Sequence, residues 1–244
     1  MMAQPDPTSK DPRAQTFKDG ARELLKLVFQ YYLPMGEGVA QSWRTDPETF
    51  IEQEDENYFI NDFDLDAGCS LNFLAHQLTE KLINQMYSTC YPFIKDDLLI
   101  NYFNGTLKLS NELMEDALLN LVGMLAKIQQ KSPPEKRLDI VYILDFIHAN
   151  KFENPLFKRR YTHLITQWVK NLPKYKLLGY FTILVQSLSG LTVHVLIYEH
   201  CRCMHELVKE LDFWVKKGES GAKPSYAAVG SLFYANSSMT EEED

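Results

Sequence analysis

The sequence predicts an all-α fold, and three observations carry that expectation. Apolar residues recur at spacings of three and four through one segment after another. Capping residues, prolines and glycines punctuate these segments at short intervals. The one stretch that alternates like a strand, TVHVLIY at 192–198, has helical neighbours that favour a helix there too.

Residues 1–16 are polar and hold three prolines, and are read as disordered. The first helix is expected from Phe17 to Leu33, with Leu24, Leu25, Val28 and Phe29 inward, stopped by Pro34, Gly36 and Gly38. Residues 34–66 form an acidic loop. Between Thr45 and Asp66 it has nine acidic residues and no basic one, interleaved with Phe50, Tyr58, Phe59 and Phe63. Within it Asp46 is a good N-cap, Pro47 suits the first helical position and Glu48 favours the first turn, so a short helix is expected there, pinned by Trp43 and Phe50.

Asp66 then caps a helix with Leu71, Leu74, Leu78, Leu82 and Met86 inward. Pro92 precedes a shorter segment that ends at Asn104-Gly105. Ser110 caps a helix whose stripe is Leu113, Ala117, Leu121, Leu125 and Ile128, widened by Met114, Leu118 and Val122. Ser132-Pro133 starts the next, to about Ala149. Asn154-Pro155 starts another with Tyr161, Leu164, Ile165, Trp168 and Val169 inward, broken by Pro173. A further helix turns Leu177, Phe181, Leu184, Val185 and Leu188 inward. Residues 205–216 finish a last one with Leu207, Leu211 and Trp214, and 218–244 read as a disordered acidic tail.

Either a closed bundle or a stack of helical hairpins accommodates these helices. The apolar faces are wide, as in a helix that touches both its hairpin partner and neighbouring repeats. The starts at Asp66, Ser110 and Asn154 are 44 residues apart, close to the roughly 40-residue period of HEAT-type hairpins. The expected architecture is therefore a short solenoid of stacked hairpins over residues 17–217 with the acidic loop inserted.

A formal charge of −8 argues against a general nucleic-acid binder and is compatible with basic partners. The first residues, MMAQPDPTSKDPRAQ, lack the apolar core of a signal peptide, and no run approaches the roughly 20 residues of a membrane span. No phosphate-binding loop, nucleophile elbow or zinc-protease motif occurs, so no enzyme and no cofactor is expected. HCRCMH at 200–205 gathers His200, Cys201, Cys203 and His205, but on a helix His200 and Cys203 share a face while Cys201 points elsewhere, so all four could hold one ion only if the helix unwound. Two buried cysteines and two surface histidines are expected there, and no metal. FKRRY at 157–161 sets Lys158, Arg159 and Arg160 in the first half of a helix, where positive charge is slightly unfavourable, so carboxylate partners are expected.

WRTDPETFIEQED, starting at Trp43, resembles a segment in the middle of importin-beta family receptors, where Trp and an Asp-Pro-Glu-x-Phe stretch join two HEAT helices. YYLPM at 31–35, EDALLNLVGMLA at 115–126 and KRRYTHLITQWV at 158–169 extend the likeness in order, so that it covers roughly residues 24–215. NQMYSTCYPFIKDDLLINYFNG is only loosely similar. The resemblance implies HEAT repeats, transport between nucleus and cytoplasm, a protein cargo and the GTPase Ran, without catalysis. Such receptors are several times longer, and nothing here is similar to their main Ran-binding repeats, which implies a central piece. Trp43, Asp46, Pro47, Glu48 and Phe50 carry the motif, with a structural role. Glu52, Glu54, Asp55, Glu56, Arg159 and Arg160 are candidate partner-binding residues, and a basic cargo is the expected partner. The alternative is a helical-repeat adaptor with no transport role.

Overall fold

The computed structural model describes residues 12–34, 41, 45–46, 71–133, 137–191 and 194–216. These residues are all-α, with no strand among them. None of their helices is long and apolar enough to cross a membrane.

Helix α1 (Pro12–Tyr31) begins ahead of Phe17, so residues 12–16 are helical. It buries Ala21, Leu25, Val28 and Phe29, while Leu24, expected inward, is exposed. Helix α2 (Leu71–Gln85) also turns a different face inward. Ala75, Thr79 and Ile83 are buried, and Leu74 and Leu78 are exposed. The small residues at 75 and 79 allow close approach to α1 and to the helix over Glu112–Gln129, which the leucine row would prevent.

Helix α3 (Tyr87–Pro92) follows Met86, which is itself non-helical. Pro92 has no N–H to give to the turn before it, and Phe93–Ile100 continue in the wider π form. The chain returns to α form in α4 (Asn101–Phe103). Gly105 ends it at φ 73°, a left-handed position that favours glycine, and the Leu107 N–H bonds back to the Asn101 carbonyl at 2.8 Å.

Helix α5 (Glu112–Gln129) starts one residue later than Ser110 predicts. Asn111, extended, accepts the N–H groups of Leu113 and Met114, both at 3.1 Å. Its expected stripe is buried except for the half-buried Ile128. Helix α6 (Ile140–Asn150) starts well after Ser132. The described residues on either side of 134–136 are tied to their surroundings: buried Gln129 accepts the Leu138 N–H at 2.6 Å, and Arg137 donates to the Ser132 carbonyl at 2.8 Å. Asp139 then caps α6 by accepting the Tyr142 N–H at 3.1 Å.

Helix α7 (Pro155–Trp168) starts where the sequence predicts, with Asn154 accepting the Leu156 N–H at 2.9 Å and Pro155 at the first position. All five residues expected inward are buried. One tight turn and Pro173 lead to α8 (Lys174–Leu188), which buries Leu177, Tyr180 and Leu184 and leaves Phe181, Val185 and Leu188 half-buried. Of the ambiguous TVHVLIY stretch, residues 194–198 are helical and open α9 (His194–Lys216).

The chain divides after Leu207. In the first unit α1 packs on α2 and α3, α2 on α5, α5 most extensively on α7, and α6 on α7. Of the second unit the residues up to 216 are described, and there Phe213 and Trp214 meet edge to face at 5.4 Å.

Candidate functional site

Side chains on α5 and α7 meet in a regular order. Arg160 pairs with Asp116, the Trp168 indole N–H donates to the Val122 carbonyl at 3.1 Å, and the Asn171 amide donates to the Ala126 carbonyl at 3.2 Å. The residue numbers ascend together on both sides, so the two helices run parallel. The offsets are 44, 46 and 45 residues. Between α2 and α5, His76 meets Asn120 at 3.0 Å and Glu80 meets Lys127 at 3.5 Å, at offsets of 44 and 47.

Arg159 and Arg160, candidate partner-binding residues by sequence, both have carboxylates beside them. The Arg160 guanidinium is bidentate on Asp116, Nε to Oδ1 at 2.7 Å and a terminal nitrogen to Oδ2 at 2.9 Å. Arg159, buried, donates through Nε to Glu199 Oε1 at 3.3 Å, and His163 Nε2 reaches the same oxygen at 3.0 Å. Burial alone would push the Glu199 carboxyl up, but the His163 hydrogen bond and the His163 and Arg159 charges together hold it down at about 2.

His200 and Cys203 share the buried face of α9, whereas Cys201 and His205 are exposed. This corrects the expected two buried cysteines and two surface histidines: the helical period groups one residue of each kind. His200 Nδ1 carries the proton, donating to the Leu196 carbonyl at 2.9 Å, and Nε2 is buried with no hydrogen-bond partner among the described residues. Burial holds the His200 imidazole below the ordinary histidine range, favouring its neutral form. Burial pushes the Cys203 thiol up to about 12 and the Cys90 thiol up to about 11, so neither is a thiolate at neutral pH. Among the described residues no group of three or more His, Cys, Asp or Glu is arranged to hold a metal ion.

Comparison with protein-family models, curated proteins and solved structures finds no match. Any functional reading therefore rests on the chain's own residues and geometry.

A cleft of about 310 Å³ opens where the start of α5, the end of α6 and the start of α7 meet. Glu112, Glu115 and Glu153 contribute carboxylates, against the single ammonium of Lys151. Lys151 pairs with Glu115 at 2.9 Å and lies 5.6 Å from the centre of the Phe157 ring. Asn154 ties the cleft together, donating to Glu112 Oε2 at 2.8 Å while it caps α7. Glu153 is exposed at the edge.

None of the cleft's acidic residues is singled out by the sequence. Glu112 and Asn154 lie 42 residues apart, as do Tyr87 and Gln129, and that near-constant interval is the available signal. Of the motif residues only Asp46 is described. It is exposed and non-helical, and precedes undescribed residues, while Gln41 and Thr45 before it are helical, with the Thr45 hydroxyl donating to the Gln41 carbonyl at 2.9 Å. Trp43, Pro47, Glu48, Phe50, Glu52, Glu54, Asp55 and Glu56 lie outside the described residues, as do Asp66 and the tail from Gly218.

Proposed function

We propose that this chain is a protein-binding segment of an importin-beta-type nuclear transport receptor, built as a short stack of HEAT-type hairpins. The observation that carries the reading is the repeated offset of 42 to 47 residues between side chains that meet on α2, α5 and α7. One helix in each interval runs parallel to its counterpart in the next, which is how stacked hairpins of about 40 residues bring equivalent helices together. The resemblance around Trp43 supplies the transport role, and Ran enters through that resemblance alone.

The acidic cleft between α5, α6 and α7 is the docking point assigned to cargo. Its carboxylates outnumber its one lysine, and Glu153 is open to a basic side chain entering from solvent. Such binding gains from charge complementarity and weakens with salt. The test is fluorescence anisotropy of a lysine- and arginine-rich peptide with the full chain at low and physiological salt. Binding that falls with salt and drops in Glu153→Lys supports the reading. No binding at low salt removes the cargo role. Binding of partner proteins that ignores the nucleotide state of Ran in the same assay favours the adaptor reading.

A further inference from the structure

Helix α1 has a wide apolar arc, and among the described residues only part of it is covered. Ala21, Leu25 and Val28 face the interior. Beside them a second stripe faces solvent: Phe17 is 58% exposed, Leu24 39%, Leu27 48% and Tyr31 70%. With Gly20, these residues have the heptad rhythm of a helix seam, 17, 24 and 31 in one set and 20 and 27 in the other. A side-chain carbon added at Gly20 would meet nothing within 4 Å, so the stripe has a gap near one end and its largest exposed ring near the other.

We propose that this stripe is a homodimer interface in which α1 packs antiparallel against α1 of a second copy. The arrangement is self-complementary. Turned about an axis between residues 25 and 26, Leu24 meets the partner's Leu27 and Leu27 meets the partner's Leu24. Tyr31 enters the gap at the partner's Gly20, and the reverse contact repeats it. On the solvent flank, exposed Gln30 lies across from the exposed carboxylate of the partner's Glu23, a donor facing an acceptor twice over. A second copy is favoured over an unrelated partner because large meets small and donor meets acceptor in one register.

The area sets the strength. The two rings expose about 250 Å² between them, and the leucines bring the stripe to the size of the largest apolar patch on an ordinary monomer. This is short of the ~800 Å² that each side of a standard interface buries. An interface this small is expected to be reversible.

Sedimentation equilibrium of the full chain across the micromolar range tests the proposal. The expected weight-average mass rises with concentration from the 28.3 kDa of one chain towards twice that value. Leu24→Glu combined with Leu27→Glu, both at exposed positions, is expected to stay monomeric with an unchanged circular dichroism spectrum. Gly20→Leu separates specific pairing from general stickiness. It adds apolar surface, which would strengthen unspecific association, but it blocks the partner's Tyr31 and is expected to weaken the dimer at least about tenfold. A wild-type chain that stays monomeric throughout, including one whose own residues 35–70 cover the stripe, overturns the proposal. So does a Gly20→Leu chain that associates as tightly as wild type.

Discussion

Replacing Asp116 by alanine strikes the α5–α7 seam at its most demanding point. The Asp116 and Arg160 side chains are only 9% and 14% exposed, and the carboxylate takes both guanidinium bonds. In Asp116→Ala the guanidinium keeps its place without an anion. Breaking a buried pair from one side costs about 3–5 kcal/mol. The residual exposure of Arg160 admits some water, which sets the expected cost near about 3 kcal/mol. For a chain of this size that lowers the melting temperature by about 6–12 °C. Asp116→Leu combined with Arg160→Met removes both charges and is expected to recover to within about 1 kcal/mol of wild type.

Urea denaturation followed by tryptophan fluorescence is the assay, because Trp168 is fully buried in the same seam and reports its opening. With Asp116→Leu alone and Arg160→Met alone as the two single variants, the double variant and wild type complete a double-mutant cycle with an expected coupling of at least about 2 kcal/mol. A loss below about 1 kcal/mol in Asp116→Ala, or a double variant no better than the worse single one, would refute the reasoning that this pair is desolvated and mutually dependent.

Acid should unfold the chain in two identifiable stages. His200 is held neutral by burial, so its contribution is whole above the ordinary histidine value of about 6.5 and is lost as pH falls below it, where the unfolded chain takes up the proton first. Glu199, held at about 2, contributes fully above the ordinary carboxylate value and loses that contribution as pH falls towards 2. Urea midpoints measured against pH should lose the lower stage in Glu199→Gln and the upper stage in His200→Leu. Gly123→Ala should stabilise the chain by about 0.5–1 kcal/mol through helix propensity: a carbon there collides only with the end of the exposed Gln167 side chain, which can swing away. Asn154→Ala should cost about 1–2 kcal/mol in thermal melts, since it removes the α7 cap together with the bond to Glu112.

Helix α7 is legible in the sequence because its signals agree: an Asn cap, Pro at the first position and an inward row at helical spacing. Helix α2 misleads because two rows fit the same spacing. Hydrophobicity favours Leu74 and Leu78, while burial falls on Ala75, Thr79 and Ile83, since close approach to α1 and α5 depends on small side chains rather than on greasy ones. The start of α6 misleads for a different reason. Ser132-Pro133 is a sound local start, but Gln129 and Arg137 hydrogen-bond the loop on either side of it. The pairing of the two arginines is expected from their position in the first half of α7. Their partners, 44 and 40 residues away, depend on which helices become neighbours.

Those pairs also fix how α5 and α7 are aligned along their axes. Leucine packs acceptably in several registers, so the apolar rows alone specify alignment weakly. The charged pair does not. Sliding α7 by one turn in one direction sets Arg160 beside Asn120, which offers no anion; in the other direction it sets Arg160 beside Glu112 and leaves Asp116 alone. Either slip strands a buried charge and separates the Trp168 indole from the Val122 carbonyl. It would also pull Asn154 from Glu112, and the cleft loses the contact that joins its two helix starts. The register these residues select is therefore the one that holds Asn154 against Glu112 at the cleft, so on the proposed cargo-binding reading substitutions in the seam should alter peptide binding even where they touch no peptide.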